Sequence, residues 1–242
     1  MNRKKIIGIP IKNLENPMSR LSEILTQEER IHTQKELIRN IVQSFKNNDH
    51  ETYLISTDNE VEILAKNLNV KIFKSNSSGL NKEVIEFSKL FSNYDGWIIC
   101  HADLPYITKH FANTISAEIN ENEIIIAQSK DNGTPFIAGT LSFNKFLFGK
   151  NSFNKHIEFL IDKKYAYKQI FSTEFTFELD DEEDYKKLSD LLVGSDTQAS
   201  GRDGGNSISC AKGVYWREQG KAPCDDVGTV KFRTPNGTEI SN

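Results

Sequence analysis

A carboxylate directly after a buried apolar run is the first candidate for chemistry in this sequence. The run Trp97–Cys100 has the length of a central strand, and His101-Ala102-Asp103-Leu104-Pro105 follows it. Parallel sheets bind ligands outside the carboxyl ends of their strands, and Mg²⁺ prefers oxygen donors together with phosphates. Asp103 is therefore the best candidate metal ligand, although the same carboxylate could simply cap the following turn. We interpret His101 as a turn or packing histidine.

Glu178 and Asp180 are two further carboxylates at a spacing that suits a cation. The alternating segment Phe175–Leu179 predicts a strand, and residues two apart lie on the same face of a strand. Two carboxylates on one face repel each other unless a cation lies between them. The pair is therefore a second candidate for a metal site. The acids Asp181–Glu183 are expected only to offset the dipole of the helix that follows.

Two cations lie beyond the end of the first predicted strand. Lys12 follows Pro10 directly after this strand, and Arg20 closes the polar loop that comes next. A lysine there could contact a phosphate as a point charge, and an arginine could bind one with its planar fork. Neither a P-loop motif nor GxGxxG occurs, so neither fingerprint explains the loop. Taken alone, Lys12 and Arg20 are more simply two solvated surface cations.

Short apolar runs alternate with helical patterns along the chain, which is typical of an α/β domain with a mainly parallel sheet. These elements must position the candidate groups. Thr26 and Glu29 form a capping box, which predicts that the first long helix begins there. Strands are predicted near Ile6–Pro10, Tyr53–Ser56, Val70–Phe73, Trp97–Cys100 and Glu123–Gln128. Apolar residues at helical spacing predict three further helices, near Leu80–Phe91, Phe153–Leu160 and Tyr185–Leu192.

The composition changes abruptly after Val193. The final stretch holds eight of the 14 glycines and two of the three cysteines, with few periodic apolar residues. We therefore expect one domain over residues 1–193 and a Gly/Ser-rich tail over 194–242 that is flexible or irregular. Cys210 and Cys224 lack partner histidines at metal-ligand spacing, so free thiols are expected rather than a metal site or a disulfide. An end translated out of frame is a further explanation of the tail.

The composition indicates a soluble globular protein without a global charge field. Hydrophobic residues make up 37% of the 242 residues, and 30 Lys+Arg against 34 Asp+Glu give a formal net charge of -4. This balance argues against a nucleic-acid or membrane partner, and the longest apolar runs are too short to span a bilayer. Three cysteines without metal-ligand spacing favour a cytoplasmic location. None of the five histidines pairs with a nucleophile, so no catalytic triad is predicted.

Taken together, the motifs resemble one family in order and spacing over residues 5 to 192. The motifs are Pro10-Ile11-Lys12, Ser19-Arg20-Leu21, Ser56 with Asp58, Gly79-Leu80-Asn81, His101–Pro105, Asp131 with Gly133-Thr134, and Phe148-Gly149 with Ser152-Phe153 and His156. The family that they resemble is that of the CofC/FbiD 2-phospho-L-lactate guanylyltransferases, which act in the biosynthesis of the deazaflavin coenzyme F-420. The resemblance implies a three-layer αβα sandwich of the nucleotide-diphospho-sugar transferase (GT-A or MobA-like) type. It also implies GTP and a phosphorylated three-carbon acid as partners, with Mg²⁺ as cofactor.

The resemblance assigns roles to individual residues. Lys12, Arg20 and Asp103 are expected to be the catalytic residues. Nucleotide binding is expected from Pro10, Lys12, Arg20, Ser56, Asp58, Gly79 and Asn81. The acceptor phosphate is expected at Thr134, Gly149 and Ser152, and the metal at Asp103, Glu178 and Asp180.

One departure from the family pattern concerns the acceptor. The family's Gly-Thr-Asn reads Gly133-Thr134-Pro135 here, and proline supplies neither a backbone donor nor an amide side chain. The acceptor could be 2-phospho-L-lactate, phosphoenolpyruvate or 3-phospho-D-glycerate, and the oligomeric state could be monomer or homodimer. Two rivals remain: another MobA-like nucleotidyltransferase, whose usual glycine-rich first loop is absent, and a catalytically silent nucleotide-binding relative.

Overall fold

The computed structural model describes residues 4–46, 49–119, 123–140, 142–188, 231–233 and 239–241. The strands are β1 (Lys5–Pro10), β2 (His50–Ile55), β3 (Lys71–Phe73), β4 (Gly96–Cys100), β5 (Ile124–Ala127), β6 (Phe136–Gly139), β7 (Tyr167–Ile170), β8 (Lys231–Arg233) and β9 (Glu239–Ser241). The helices are α1 (Gln27–Ser44), α2 (Asn59–Leu68), α3 (Leu80–Ser88), α4 (Lys109–Glu118), α5 (Ser152–Asp162), α6 (Thr173–Thr176) and α7 (182–188).

One sheet in the order β3-β2-β1-β4-β6-β5-β7-β8-β9 forms the middle layer. β1 pairs in parallel with β2 and β4, β2 with β3, and β5 with β7. β6 runs antiparallel between β4 and β5, so β4 and β5 have the same direction. Six of the first seven strands therefore present their carboxyl ends at one edge of the sheet.

Helices cover both faces of this sheet. On one face, apolar residues of α1, α2 and α4 pack against side chains such as Ile7, Ile98 and Ile125. On the other face, α3 and α5 pack against the alternate residues of the same strands, such as Trp97 and Ile124. Because each strand buries both faces, its sequence is almost continuously apolar, as expected of a covered parallel sheet. The predicted αβα sandwich is confirmed.

Most of the strands and helices that the sequence predicted are present in the structure. Five of the six predicted strands correspond to β1–β5, and α1 begins at the predicted capping box, in which Thr26 accepts from the Glu29 amide. The helices α2 and α4 and the strands β6 and β7 were not predicted. The strand predicted over Phe175–Leu179 is wrong, because Thr173–Thr176 forms one helical turn and residues 177–180 are irregular.

Most of the predicted tail lies outside the described residues. Its two described segments, β8 and β9, form short antiparallel strands, and β8 pairs with β7 through Gln169↔Arg233 and Ile170↔Phe232. No helix in the described part of the chain is long and apolar enough to cross a membrane.

We expect a chain that ends at Gly194 to keep its thermal midpoint. Ordering a residue costs about 1–2 kcal/mol of backbone entropy, which two three-residue strands can offset only in part. Thermal unfolding of the shortened and full chains, followed by circular dichroism, provides the measurement. A clearly lower midpoint for the shortened chain would mean that residues beyond 194 stabilise the domain.

Candidate active site

The loops that carry the candidate residues lie together at the carboxyl edge of the sheet. Pro10 ends β1, and Ser56, His101 and Gln128 directly follow β2, β4 and β5. These strands share one direction, so the loops after them emerge on the same side. The site is thus assembled from segments that are far apart in sequence.

Three donor side chains form a cluster at the end of β4, which we call the acid cluster. His101, Asp103 and Glu178 each offer one donor atom, and these atoms lie within 4.8 Å of one another. His101 Nδ1 is 3.2 Å from Glu178 Oε1. Asp103 Oδ1 is buried and has no hydrogen-bond partner among the described residues. A buried carboxylate oxygen without a donor is costly unless a cation binds it, so this cluster fits a divalent metal.

The electrostatics of the acid cluster also favour a cation. Burial, followed by the charge of Glu178, raises the pKa of Asp103 to about 7. Burial lowers the pKa of His101, but the hydrogen bond to Glu178 and the charge of Asp103 outweigh it and raise that pKa overall. Burial likewise raises the pKa of Asp180, against the opposing charge of Arg20. Carboxylates whose charges are disfavoured in this way gain from a bound cation.

Backbone hydrogen bonds hold the acid cluster in place. The Leu179 amide donates to the Asp103 carbonyl at 2.9 Å, so the segment that bears Glu178 lies along the segment that bears Asp103. The His101 amide donates to the Pro135 carbonyl at 2.8 Å. Pro135 thus supplies the carbonyl that accepts the His101 amide. Because Pro135 directly precedes β6, its missing amide hydrogen is tolerated there.

Asp180 lies beside the acid cluster but has another partner. Its Oδ2 accepts from Arg20 Nη1 at 2.7 Å, although the two residues are 160 positions apart. The structure therefore groups Asp103 and Glu178 with His101, whereas the predicted third ligand, Asp180, forms an ion pair. The Arg20 side chain is 68% exposed, so the ion pair lies at the mouth of the site. Lys12 is exposed and forms no ion pair with any residue that the structure describes.

A second ion pair fixes the segment that carries the site acids. Lys130 Nζ donates to Asp184 at 2.6 and 2.7 Å and to Asp181 at 2.9 Å. Asp184 is fully buried and also accepts from the backbone amides of Asp180 and Asp181. Lys130, in the loop after β5, thereby ties the start of α7 to the carboxyl edge. The sequence analysis missed this contact, because neither residue belongs to a local motif.

The residues predicted to bind the nucleoside mainly support the loops. The hydroxyl of Ser56 accepts from the Asp58 amide, and Asp58 caps α2 while accepting from the Leu14 amide at 3.2 Å. Gly79 is the N-cap residue that precedes α3, with a φ of 102°, which glycine adopts without strain. Asn81 Oδ1 accepts from the Phe148 amide at 2.7 Å, and Asn81 Nδ2 donates to the Phe148 carbonyl at 3.0 Å.

The residues predicted to bind the acceptor surround the first turn of α5. Thr134 and Ser152 are buried, and Gly149 is exposed with φ 116°. His156 Nε2 accepts from the Leu147 amide at 2.9 Å, so its Nδ1 carries the proton and donates to Thr134 Oγ1 at 3.0 Å. Burial lowers the pKa of His156 to about 4, which agrees with this neutral form. His156 thus joins the two sides of the predicted acceptor region.

His101 is the one missed member of the acid cluster, and its position in the sequence carried a signal. His101 stands two positions before Asp103, and such a short spacing after a strand can place both side chains at one site. Its imidazole is a potential metal ligand as well as a hydrogen-bond partner. Glu178 was itself a predicted metal ligand, but its contact with His101, 77 positions away, could not be inferred from local sequence.

Comparison with protein families gives one match over most of the chain. The family described as "Guanylyl transferase CofC like" matches residues 4–202. A 2-phospho-L-lactate guanylyltransferase from Methanosphaera stadtmanae is 32% identical over 162 residues, which cover 64% of this chain and 70% of that protein. One from Methanocaldococcus infernus is 29% identical and covers 78% and 84%. A phosphoenolpyruvate guanylyltransferase from Chloroflexus aggregans is 25% identical and covers 73% and 93%.

Solved structures share the fold. A putative nucleotide-diphospho-sugar transferase from Desulfovibrio desulfuricans G20 matches with a TM-score of 0.65 at 14% identity, over 81% of this chain and 88% of that one. A nucleotidyl transferase from Methanothermobacter matches with a TM-score of 0.58 at 14% identity, over 81% and 100%. The αβα sandwich described above is therefore that of nucleotidyltransferases and nucleotide-diphospho-sugar transferases.

Proposed function

Since the chain belongs to the family of CofC-like guanylyl transferases, we propose that it transfers GMP from GTP to a phosphorylated three-carbon acid and releases pyrophosphate. The product would be an intermediate in the biosynthesis of the deazaflavin coenzyme F-420. The observation that carries this proposal is the acid cluster, whose Asp103 Oδ1 has no hydrogen-bond partner in the described part of the chain, beside the ion pair of Arg20 with Asp180. The candidate acceptors are 2-phospho-L-lactate, phosphoenolpyruvate and 3-phospho-D-glycerate.

The reaction makes modest chemical demands on the protein. An oxygen of the acceptor phosphate attacks the α-phosphorus of GTP, and the bond from that phosphorus to the β-phosphate bridging oxygen breaks. The acceptor oxygen is already anionic at neutral pH, so no general base is needed. Catalysis consists of bringing two polyanions together and stabilising the leaving pyrophosphate. The absence of a nucleophile–base pair in the sequence agrees with these demands.

Asp103 and Glu178 are the residues that would hold Mg²⁺, with His101 beside them. When bound, the ion would neutralise phosphate charge and orient the displacement. The protein's part is to keep both carboxylates at a fixed separation, which the Leu179–Asp103 backbone hydrogen bond supports. Asp180 would complete the set once Arg20 leaves it.

We assign binding of the triphosphate to Arg20 and Lys12. Arg20 is held by Asp180 at 2.7 Å but is largely exposed, so phosphate oxygens can compete for its guanidinium. An exchange of this kind would free Asp180 for the metal at the moment the nucleotide arrives. The proposed roles of Lys12 and Arg20 follow from their position after β1 and from the family.

We expect Arg20→Lys to weaken GTP binding about tenfold, because an ammonium loses one of the two parallel bonds of a guanidinium, worth about 1.4 kcal/mol. Titration of GTP against the rate of pyrophosphate release provides the measurement. Arg39→Lys is the matched control, since Arg39 pairs with Glu36 on the surface of α1. If the variant keeps both its apparent affinity and its rate, Arg20 is a surface residue.

The proposed function is tested by incubating the protein with GTP, Mg²⁺ and each of the three acceptors in turn. Mass spectrometry should find one guanylylated acid together with pyrophosphate. ATP and CTP in place of GTP serve as controls for the base. If GTP binds but no acceptor is guanylylated, the chain is better explained as a silent relative. Transfer to a different class of acceptor would favour another MobA-like nucleotidyltransferase.

A further inference from the structure

The amide of Asn81 is engaged by the backbone of a single distant residue. Its Oδ1 accepts from the Phe148 amide and its Nδ2 donates to the Phe148 carbonyl, at 2.7 and 3.0 Å. This paired bond joins the first turn of α3 to the segment before α5 across 67 positions of sequence. A nucleoside that contacted the same two atoms of Asn81 would have to compete with these two hydrogen bonds. We call this pair of hydrogen bonds the Asn81 clamp.

The Asn81 clamp fixes an aromatic side chain next to the acid cluster. Phe148 is 7% exposed, and its ring lies 5.2 Å, centroid to centroid, from the ring of His101. The Phe146 ring stacks on the Phe148 ring at 5.8 Å, and the adjacent Leu147 amide donates to His156. Phe148 is therefore held through its backbone and through its ring, which leaves little freedom for it to move away from His101.

His101 in turn contacts the carboxylate of Glu178, which lies in an irregular segment. Its Nδ1 lies 3.2 Å from Glu178 Oε1. Residues 177–180 belong to no strand or helix, so the backbone that carries Glu178 lacks the support of regular secondary structure. A metal-binding carboxylate in such a segment depends on its outer hydrogen bonds for orientation. The contacts thus run continuously from Asn81 through Phe148 and His101 to Glu178.

We propose that Asn81 is a positioning residue for the metal site, which acts through Phe148 and His101 on Glu178, and not a contact of the nucleoside. The proposal rests on the proposed function only in taking the acid cluster as the metal site. Loss of outer partners of metal ligands typically weakens metal binding or activity 10- to 100-fold. A residue in the nucleoside pocket would instead change the affinity for GTP.

Two titrations separate these roles, and neither depends on guanylyl transfer. Mn²⁺ binding is followed by electron paramagnetic resonance on nucleotide-free protein, and GTP binding by calorimetry in EDTA. Asn81→Ala should weaken Mn²⁺ binding roughly tenfold and leave GTP binding in EDTA unchanged. Phe148→Leu removes the ring but keeps both backbone bonds of the clamp, and it should weaken Mn²⁺ binding in the same way. Lys82→Ala, an exposed neighbour on α3, should change neither titration.

Several results would overturn the proposal. One is weaker GTP binding of Asn81→Ala in EDTA with unchanged Mn²⁺ binding, which would return Asn81 to the nucleoside pocket. Another is unchanged Mn²⁺ binding of Phe148→Leu, because the proposal requires the Phe148 ring. This variant still tests the proposal if Asn81→Ala fails to fold. A wild-type protein that binds no Mn²⁺ would remove the metal site itself. A failure of all three acceptors in the transfer assay would overturn the proposed function but leave these titrations valid.

Discussion

Asp103→Asn should lower guanylyl transfer roughly a thousandfold while the protein stays folded. Charge stabilisation by a bound metal is worth several kcal/mol, and each 1.36 kcal/mol corresponds to a tenfold rate change. The amide keeps the shape of the side chain but not the charge that attracts the ion. The backbone bond from the Leu179 amide to the Asp103 carbonyl is untouched. Pyrophosphate release at saturating GTP measures the loss.

The thermal midpoint of the metal-free Asp103→Asn protein distinguishes lost function from lost folding. The wild type buries Asp103 beside Glu178 with one carboxylate oxygen unpartnered among the described residues, which is unfavourable for an ionised group. The variant should therefore be at least as stable as the wild type without metal. Glu182→Gln serves as the charge control, because Glu182 pairs only with Lys186 on the exposed face of α7 among the described residues. Equal losses in both variants would indicate a general charge effect.

Asp184→Asn should lower the free energy of unfolding by about 2–3 kcal/mol, since removing one partner of a buried, hydrogen-bonded charge pair is costly. Its carboxylate is fully buried and binds Lys130 and two backbone amides, whereas Lys130 remains half exposed, which moderates the loss. Turnover should fall as well, because the same bonds anchor the segment of Glu178 and Asp180. Urea unfolding with linear extrapolation and the pyrophosphate assay give the two values.

The control for Asp184→Asn is Glu183→Gln. Glu183 lies next to it in α7 and is 75% exposed, with Lys187 four residues on as its partner. Its replacement should leave stability and turnover nearly unchanged, since exposed pairs of this kind contribute little. If Asp184→Asn proves as mild as this control, the Lys130–Asp184 pair does not anchor the site.

Several features could be predicted because their causes are local. The capping box at Thr26 requires only residues three apart. The composition of the apolar run Trp97–Cys100 is enough to predict a strand that is buried on both faces. A parallel sheet then brings whatever follows such strands to one edge. For this reason Asp103, Lys12 and Arg20 could be assigned to a common edge before any contact was known.

The alternation over Phe175–Leu179 shows where local pattern fails. Phe175 and Leu179 are buried and Glu178 belongs to the acid cluster, so apolar and polar side chains alternate without a strand. An alternation of apolar and polar residues shows only that one side of the segment faces the core. An irregular segment between the hydrophobic core and the candidate active site therefore has the same pattern as a strand. The segment's actual hydrogen bond, to the Asp103 carbonyl, depends on a residue far away in sequence.

The sequence by itself thus determined the α/β class, the first five strands and the edge at which the chemistry lies, because these follow from short-range periodicity. The tertiary structure alone decided the partners: Arg20 with Asp180, Lys130 with Asp184, and Glu178 with His101. Each of these contacts joins segments that follow different strands of the sheet. Which of them meet depends on strand order and on the reversed β6, and neither is encoded in a local pattern.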